Sequence, residues 1–338
     1  MKLAQKLLGS AAAVAMLAGA YAAQAGSHTK EIVVAYFPEW PMPFQVGQAD
    51  PKIFEDAGLS IKWVSFDAGT AMSAAMASGD VHIAVSQGVT PFLTAVSAGQ
   101  DLVAIDVATS YSDNDNCVVR SSLEITKDNA KELEGKTVGV PLSTAAHTGF
   151  LTQMAHFGVD TNKMTIVDMA PVDSAAAFAN GNMDMVCGWG GPLARMRQHG
   201  NPLVTGAEKE AIVGKVYDVT STVGSWAKEN AETVEKFLAV THGLNHKFNA
   251  GGQAEMMPAI AEQAGMDLEA ATGIATLGMA FPETDVQLSA DWMGGFMQKN
   301  FKEAADKMEA AGSIKAMDSY DQAVDASYLT AASKMMMK

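Results

Sequence analysis

Two stretches of this sequence, about a hundred residues apart, follow the same pattern. Residues 66–85 and 169–186 each read as a turn, an alanine-rich helix, a glycine that ends the helix and a buried strand. Similar apolar strands at 32–36 and 137–141 precede the two copies. A weak repeat at this spacing predicts two α/β lobes of similar design. The cleft between two such lobes is a common place for a small molecule to bind.

The first 25 residues have the composition of a secretory signal peptide. Lys2 and Lys6 precede an apolar run over 7–20, and a small-x-small cleavage site follows at 23–25. The apolar run is shorter than the roughly 20 residues that a membrane-spanning helix needs. No cysteine directly follows the predicted cleavage site, so we expect a freely diffusing periplasmic protein rather than a lipid-anchored one.

The chain is acidic, with 38 Asp and Glu against 23 Lys and Arg. Without the two lysines of the predicted signal peptide the net charge is about −17, which disfavours nucleic acid as a partner. The sequence contains three arginines, Arg120, Arg195 and Arg197. We therefore expect an anionic ligand to be bound by backbone amides and hydroxyls rather than by an arginine cluster.

Strand-like and helical stretches alternate in both halves of the chain, which is typical of a parallel-dominated sheet covered by helices. We predict that one lobe spans 26–115 and 219–338, and that the other spans 116–218. The two crossings between the lobes, near 110–118 and 214–222, are expected to form a two-stranded hinge.

The chain has two cysteines, and the sequence leaves their state open. Cys117 and Cys187 either form a disulfide or lie as two small buried thiols on neighbouring strands. The spacing alone does not show how far apart their Cα atoms lie.

Turns at the carboxyl ends of predicted strands are the first candidates for an anion site. Ligands in sheets of this kind bind beyond the carboxyl ends of the strands, where helix N-termini present free amides. Ordinary helix caps have the same sequence pattern, and this structural alternative stays open. The predicted anion-binding residues are Ser86, Gln87, Gly88, Thr144, Ala145, Ala146 and His147.

Four other residues are candidates for binding an organic ammonium group. Glu39 and Trp40 lie in a proline-rich turn, where a carboxylate and an indole would attract a cation together. Trp189, between glycines, is predicted to form a second aromatic wall, and Asp218 a second carboxylate at the hinge. The structural alternatives are a solvent-facing Glu39, a core-packed Trp189 and a turn-forming Asp218.

The sequence has no signature of a common enzyme class. Gly-x-Ser-x-Gly, phosphate-loop and dinucleotide-binding patterns are absent from it. His242 and His246 are expected at the surface; their spacing suits one edge of a metal site, but no further ligands stand nearby. We therefore expect no catalytic residue, no metal and no cofactor. An enzyme that uses His147 as a base or Cys187 as a nucleophile is the alternative from a different class.

The order and spacing of several short motifs resemble a known family over nearly the whole mature chain. The motifs are Val34-Ala35-Tyr36, Gln48-Ala49-Asp50, Phe66-Asp67-x-Gly69, Ala77-Ser78-Gly79-Asp80-Val81, Gly135-Lys136-x-Val138-x-Val140-Pro141, Thr144-x-x-His147 and Trp189. They resemble the periplasmic substrate-binding proteins of the nitrate, sulfonate and taurine import family, and within it the taurine-binding branch.

This resemblance implies an α/β fold of the type II periplasmic binding protein class, normally monomeric, with the ligand cleft between the lobes. It implies capture of a small anion or zwitterion and its delivery to an ATP-driven membrane permease. Carried over to this sequence, it puts the turn from Thr144 to His147 on a sulfonate, Trp189 on the ligand wall and Asp218 near an amine. Taurine is the expected ligand. Another short sulfonate or zwitterion (an alkanesulfonate, hypotaurine or aminoethylphosphonate) and a sensing role stay open.

Overall fold

The computed structural model describes residues 31–111 and 113–336. The predicted signal peptide, 1–25, lies outside these residues. In the described part of the chain, eleven strands form two sheets. The strands are β1 (Glu31–Tyr36), β2 (Ser60–Ser65), β3 (Ile83–Gly88), β4 (Leu102–Tyr111), β5 (Asp115–Arg120), β6 (Thr137–Val140), β7 (Thr165–Asp168), β8 (Met185–Trp189), β9 (Gly200–Asn201), β10 (Tyr217–Val223) and β11 (Met279–Ala280).

Helices follow most strands and make up most of the chain after β10. They are α1 (Gln45–Ala49), α2 (Lys52–Glu55), α3 (Gly69–Ser78), α4 (Val89–Ser97), α5 (Ala145–His156), α6 (Pro171–Ala179), α7 (Gly190–Met196), α8 (Gly206–Val213), α9 (Gly224–Glu229), α10 (Ala231–Lys247), α11 (Gln253–Ala264), α12 (Leu268–Leu277), α13 (Thr284–Leu288), α14 (Phe296–Ala310) and α15 (Ser327–Met336). Among the described residues, none of these helices is long and apolar enough to cross a bilayer.

The two sheets share one plan, a parallel centre with antiparallel strands added to it. The larger sheet has the order β11-β4-β10-β3-β1-β2, in which β1 pairs parallel with β2 and β3. The smaller sheet has the order β7-β6-β8-β5-β9, in which β6 pairs parallel with β7 and β8. In each sheet a strand next to a crossing, β10 or β5, runs antiparallel to its neighbours.

The two repeated stretches of sequence fold alike. The first forms α3 and β3, and the second forms α6 and β8. Gly79 and Gly181 follow the two helices with φ of 82° and 83°, a left-handed conformation that glycine adopts without steric cost. The local pattern of helix, glycine and strand therefore predicted these elements in both halves of the chain.

The chain passes between the sheets twice. It leaves the larger sheet after β4 and enters the smaller one at Asp115, and it returns to the larger sheet at Tyr217. Side by side in the larger sheet, β4 and β10 run antiparallel. The division of the lobes at 115/116 and 218/219 stays a prediction.

A disulfide joins two neighbouring strands of the smaller sheet. Cys117 on β5 and Cys187 on β8 are directly opposite partners, and their sulfur atoms are bonded. The two faces of this sheet have separate apolar clusters, one around Phe150 and the other around Phe178. Both cysteines belong to the cluster around Phe150, so the cross-link is buried on that face of the sheet.

The expectation of a surface position was wrong for His242. Its side chain is buried, with Nε2 3.1 Å from Asp106 Oδ2 and Nδ1 2.9 Å from Thr284 Oγ1. The helical spacing of His242 and His246 therefore reflects one core position and one exposed position. Among the described residues, no group of three or more His, Cys, Asp or Glu could hold a metal ion.

Candidate functional site

A small cavity lies between the two sheets. It encloses about 350 Å³ of empty space, including the solvent at its opening. Both sheets and their following turns contribute to its wall. The lining residues are Phe37, Trp40, Gly69, Gly88, Pro91, Tyr111, Asp115, Thr144, Ala145, Trp189 and Asp218.

The N-termini of three helices reach this cavity. Gly69 begins α3, Gly88 is the N-cap of α4, and Thr144 is the N-cap of α5. The first amides of a helix lack partners within the helix and carry the positive end of its dipole. A Cβ on Gly69 would lie 2.6 Å from Pro91, so glycine lets α3 and α4 begin close together. One part of the wall is therefore suited to an anion.

The hydroxyl of Thr144 shapes the first turn of α5. Its Oγ1 accepts a hydrogen bond from the His147 amide at 3.3 Å and donates one to the Pro141 carbonyl at 2.7 Å. This hydroxyl is already committed within the turn. We therefore expect the amides near Ala145, rather than the Thr144 side chain, to provide donors toward the cavity.

Asp218 is the centre of a buried hydrogen-bond chain at the cavity wall. Its Oδ1 accepts from the Tyr111 hydroxyl and its Oδ2 from the Ser86 hydroxyl, both at 2.7 Å. Ser86 in turn accepts from Trp40 Nε1 at 2.8 Å. Burial raises the pKa of Asp218 to about 7; the Tyr111 and Ser86 hydrogen bonds oppose this shift, and the charge of Asp115 adds to it.

The ends of three strands bring this chain together. Asp218 on β10 lies opposite Gly88 on β3 and Thr109 on β4. Ser86, near the end of β3, has a left-handed φ of 63°. Trp40 follows β1, and its ring meets that of Tyr111 edge to face with centroids 5.1 Å apart. The carboxyl group of Asp218 is thus held by two hydroxyl groups, one of which belongs to an aromatic side chain.

A second aromatic contact crosses between the lobes. The rings of Phe37, after β1, and Trp189, at the end of β8, lie with centroids 5.9 Å apart. Both residues line the cavity. They close one side of it with apolar surface, one ring from each sheet.

Asp115 and Lys209 form a buried ion pair next to the site. Their side chains are 2% and 1% exposed, and Lys209 Nζ lies 2.8 Å from Asp115 Oδ1. Lys209 Nζ also contacts the Asp115 carbonyl oxygen. Asp115 also lines the cavity. The wall therefore contains a second carboxylate, and the ammonium group of Lys209 balances its charge.

Glu39, which the sequence analysis placed with the candidate ligand-binding residues, lies beside the cavity and is paired with a basic side chain. Its carboxylate forms an ion pair with Arg195 of α7, with Nη2 3.1 Å from Oε1 and a second contact between Nη1 and Oε2. Its carbonyl accepts from the Gly191 amide at 3.1 Å. Glu39 therefore joins the turn after β1 to the start of α7, and it is outside the set of described residues that line the cavity.

Six of the eleven predicted ligand-binding residues line the cavity. They are Trp40, Gly88, Thr144, Ala145, Trp189 and Asp218. The other five support the wall or lie beside it. Besides Ser86 and Glu39, these are Gln87, Ala146 and His147.

These last three residues have partners elsewhere. Gln87 donates to the Gly69 carbonyl at 3.1 Å and accepts from Ser221 at 2.5 Å, so it holds α3 and β10 against β3. Ala146 is buried in the apolar core of the smaller lobe. His147 is half-buried, and this burial lowers the pKa of its imidazole. The negative charge of Asp168 has the opposite, smaller effect on this pKa.

Sequence reasoning missed five lining residues. Phe37, Gly69 and Pro91 belong to turns or first helical turns after β1, β2 and β3. The rule that ligands bind at the carboxyl ends of strands contained the signal for these three. Tyr111 and Asp115 lie on the first crossing, where no local pattern shows which side chains face the cavity.

The chain is similar to one protein family and to several curated proteins. The family model described as NMT1/THI5 like matches residues 53–246. The taurine-binding periplasmic protein of Escherichia coli (strain K12) is 28% identical over 202 residues, 59% of this chain and 57% of that protein. A putative aliphatic sulfonates-binding protein of Bacillus subtilis (strain 168) is 23% identical over 188 residues, 55% of each chain. The chain thus spans a little over half the length of these relatives.

Solved structures share the fold over most of the chain. The alkanesulfonate-binding protein SsuA from Xanthomonas axonopodis pv. citri, bound to MOPS, has a TM-score of 0.69 and 18% identity, over 87% of this chain and 98% of that one. The desulfurization enzyme DSZB has a TM-score of 0.61 and 12% identity, over 90% and 99% of the two chains. The fold prediction is therefore confirmed. The chain belongs to the NMT1/THI5-like family and has the two-lobed α/β fold of the type II periplasmic binding proteins.

Proposed function

We propose that this protein is the periplasmic solute-binding component of an ABC importer and that it captures taurine. The lobes formed by 26–115 with 219–338, and by 116–218, close on the ligand by a hinge motion at the two crossings. The closed form then delivers the ligand to a permease in the inner membrane. Closure is driven by the higher affinity of the closed state for the ligand.

One observation carries this proposal: the cavity wall combines groups suited to an anion with groups suited to a cation, which we take as the two ends of the ligand site. Three helix N-termini meet at its wall, and a buried carboxylate with aromatic neighbours lies on the same wall. A small zwitterion complements both ends at once. A ligand with one charge leaves one end without a partner.

The anionic end suits a sulfonate. A sulfonate is ionised at every biological pH, so it needs hydrogen-bond donors and no proton-accepting group. Backbone amides at Gly69, Gly88 and Ala145 supply donors in a fixed geometry, supported by the helix dipoles. A doubly charged phosphonate would lack a basic side chain to balance its second charge, because Lys209 is already paired with Asp115.

The cationic end suits an ammonium group. Asp218 supplies the carboxylate, and the rings of Trp40 and Tyr111 supply aromatic surface beside it. Attraction between a cation and an aromatic face contributes about 0.5–2 kcal/mol in addition to charge pairing. This end favours an aminosulfonate over an alkanesulfonate without an amine.

The relatives support the class of ligand and the compartment. The Escherichia coli relative is named as a taurine-binding periplasmic protein, and the Bacillus subtilis relative as a binding protein for aliphatic sulfonates. The predicted signal peptide agrees with a periplasmic location. Asp218 is the residue that favours taurine over another short sulfonate.

Calorimetric titration of the mature protein tests the ligand. Taurine, ethanesulfonate, isethionate, hypotaurine and 2-aminoethylphosphonate should be compared at pH 8. We expect taurine to bind most tightly and Asp218→Asn to weaken taurine far more than ethanesulfonate. Glu232→Gln is the matched control, because it removes one exposed carboxylate on α10, where Glu232 pairs with Lys236.

Two outcomes of this titration would count against the proposal. Binding of another compound without binding of taurine would overturn the named ligand but keep the solute-binding role. Absence of binding by every compound, checked by thermal unfolding at saturating concentrations, would overturn the solute-binding role itself. A ligand at a hundred times its Kd stabilises the folded state by about 2.7 kcal/mol, which thermal unfolding detects readily.

A further inference from the structure

The hydrogen-bond partners of Asp218 are electrically neutral. Tyr111 and Ser86 each donate a hydroxyl hydrogen bond to one carboxylate oxygen. Asp218 itself is 3% exposed. A buried carboxylate in such surroundings is stabilised by hydrogen bonds but has no bonded cation, so its charge is costly to keep in the empty cavity.

The second carboxylate of the cavity differs in this respect. Asp115 shares its Oδ1 with the ammonium group of Lys209, and both side chains are buried. The two side chains form an ion pair, so each buried charge has a partner of opposite sign. Asp115 thus has a cationic partner, whereas Asp218 accepts its hydrogen bonds from two neutral hydroxyl groups.

Other titratable groups lie near Asp218 at the cavity wall. Tyr111 on β4 keeps its proton, since burial raises its pKa well above the usual value. Burial lowers the pKa of His147 on α5, which moves its titration toward the acidic side of neutrality. Among the described residues, two ion pairs also lie near the wall, Asp115 with Lys209 and Glu39 with Arg195.

We propose that Asp218 adjusts its protonation to the ligand, so that aminosulfonates bind to the carboxylate and amine-free sulfonates bind to the neutral acid. This inference rests on the proposed function. When an ammonium group enters, Asp218 releases its proton to solvent and pairs with the cation. When an alkanesulfonate enters, Asp218 takes up a proton, and the carboxylic acid presents no negative charge to the ligand.

The two classes of ligand should therefore have opposite pH dependences at one site. Burial places the pKa of Asp218 at about 7, so the empty site contains both forms near neutral pH. At pH 6 about a tenth of the sites are ionised, and taurine should bind about tenfold more weakly than at pH 8. Ethanesulfonate should show the reverse, binding about tenfold more weakly at pH 8 than at pH 6.

The ligands themselves do not titrate between these pH values. A sulfonate stays anionic, and an alkylammonium group with a pKa of about 10, like that of lysine, stays cationic. Changes in affinity over this window therefore report on the protein. The ratio of the two dissociation constants should change by about a hundredfold between pH 6 and pH 8.

Titration calorimetry of the full mature protein tests this inference. Each ligand is titrated at pH 6, 7 and 8 in two buffers of different ionisation enthalpy, which gives the number of protons exchanged. At pH 7 we expect net proton release on binding taurine and net proton uptake on binding ethanesulfonate. In Asp218→Asn both exchanges should disappear, and ethanesulfonate should bind with similar affinity at all three pH values. Glu232→Gln should keep the wild-type behaviour.

The outcomes separate this inference from the proposed function. If both ligands bind with parallel pH dependence, or without proton exchange, Asp218 does not adjust to the ligand, although the solute-binding role stands. If neither ligand binds at any pH, the proposed function fails first. Because proton exchange is measured on the wild-type protein, the inference stays testable even if Asp218→Asn does not fold.

Discussion

The ligand-free protein should become less stable as the pH rises, because of one buried carboxylate. The pKa of Asp218 is about 7 in the folded protein against a usual value of 3.8. Between these values the unfolded chain has lost the proton and the folded chain still binds it. The unfolded state thus binds fewer protons, and the free energy of unfolding falls by about 1.4 kcal/mol per pH unit from this group. From pH 5 to pH 8 the loss is about 3 kcal/mol.

Replacement of the carboxyl by an amide isolates this contribution. Asp218→Asn removes the titration, whereas all other titrating groups are common to both proteins. The free energy of unfolding of both proteins is measured in urea without ligand at pH 5, 6, 7 and 8. The stability of the variant relative to the wild type should increase by about 3 kcal/mol from pH 5 to pH 8. A difference between the two proteins that stays constant from pH 5 to pH 8 would refute the reasoning. It would mean that Asp218 is ionised in the empty cavity.

Three further variants test contacts at the site and in the smaller lobe. Glu39→Gln should weaken taurine and ethanesulfonate alike by about two- to fivefold in titrations, because it removes an ion pair with Arg195 that joins the lobes. Replacing both Cys117 and Cys187 by alanine should lower the free energy of unfolding in urea by about 4 kcal/mol, since the cross-link closes a loop of about 70 residues. Lys209→Met should cost about 3–5 kcal/mol in the same assay, because it leaves a buried carboxylate unpaired.

Each of these predictions has a control and a result that contradicts it. The charge exchange Glu39→Arg with Arg195→Glu should recover affinity; loss of taurine binding alone in Glu39→Gln would instead put Glu39 on the ligand amine. Equal stability of the cysteine variant and the oxidised wild type would show that the bond does not constrain the unfolded chain. Adding Asp115→Leu to Lys209→Met should restore stability, and a further loss would contradict the ion-pair argument.

The fold was predictable from local signals in the sequence. The helix, the glycine at positive φ and the buried strand recur as α3 with β3 and α6 with β8, and each depends on residues close in the chain. The turns at strand ends likewise indicated Gly88, Thr144 and Trp189, which line the cavity. Such signals are local because caps and periodicity act within one or two turns of the chain.

The remaining site residues depend on contacts that no local pattern contains. Glu39 pairs with Arg195, 156 residues away, so the sequence could not show that its carboxylate is occupied. On the crossing strands, the register of β10 against β4 shifts between Asp218 and Val219 and again between Thr220 and Ser221. Each such irregularity changes which side chains face a given side of the sheet. Simple alternation therefore fails to identify the lining residues there.

The position of β10 also determines the order in which the two lobes can be completed during synthesis. Every strand of the smaller sheet comes from 115–201, so that sheet is available once this stretch has been made. In the larger sheet, β10 lies between β4 and β3, although it is synthesised after all strands of the smaller one. The larger sheet thus keeps a gap at its centre until 217–223 are available to fold. The lobe with the larger sheet contains β1, the first strand to be synthesised, but it is the second of the two lobes to be completed.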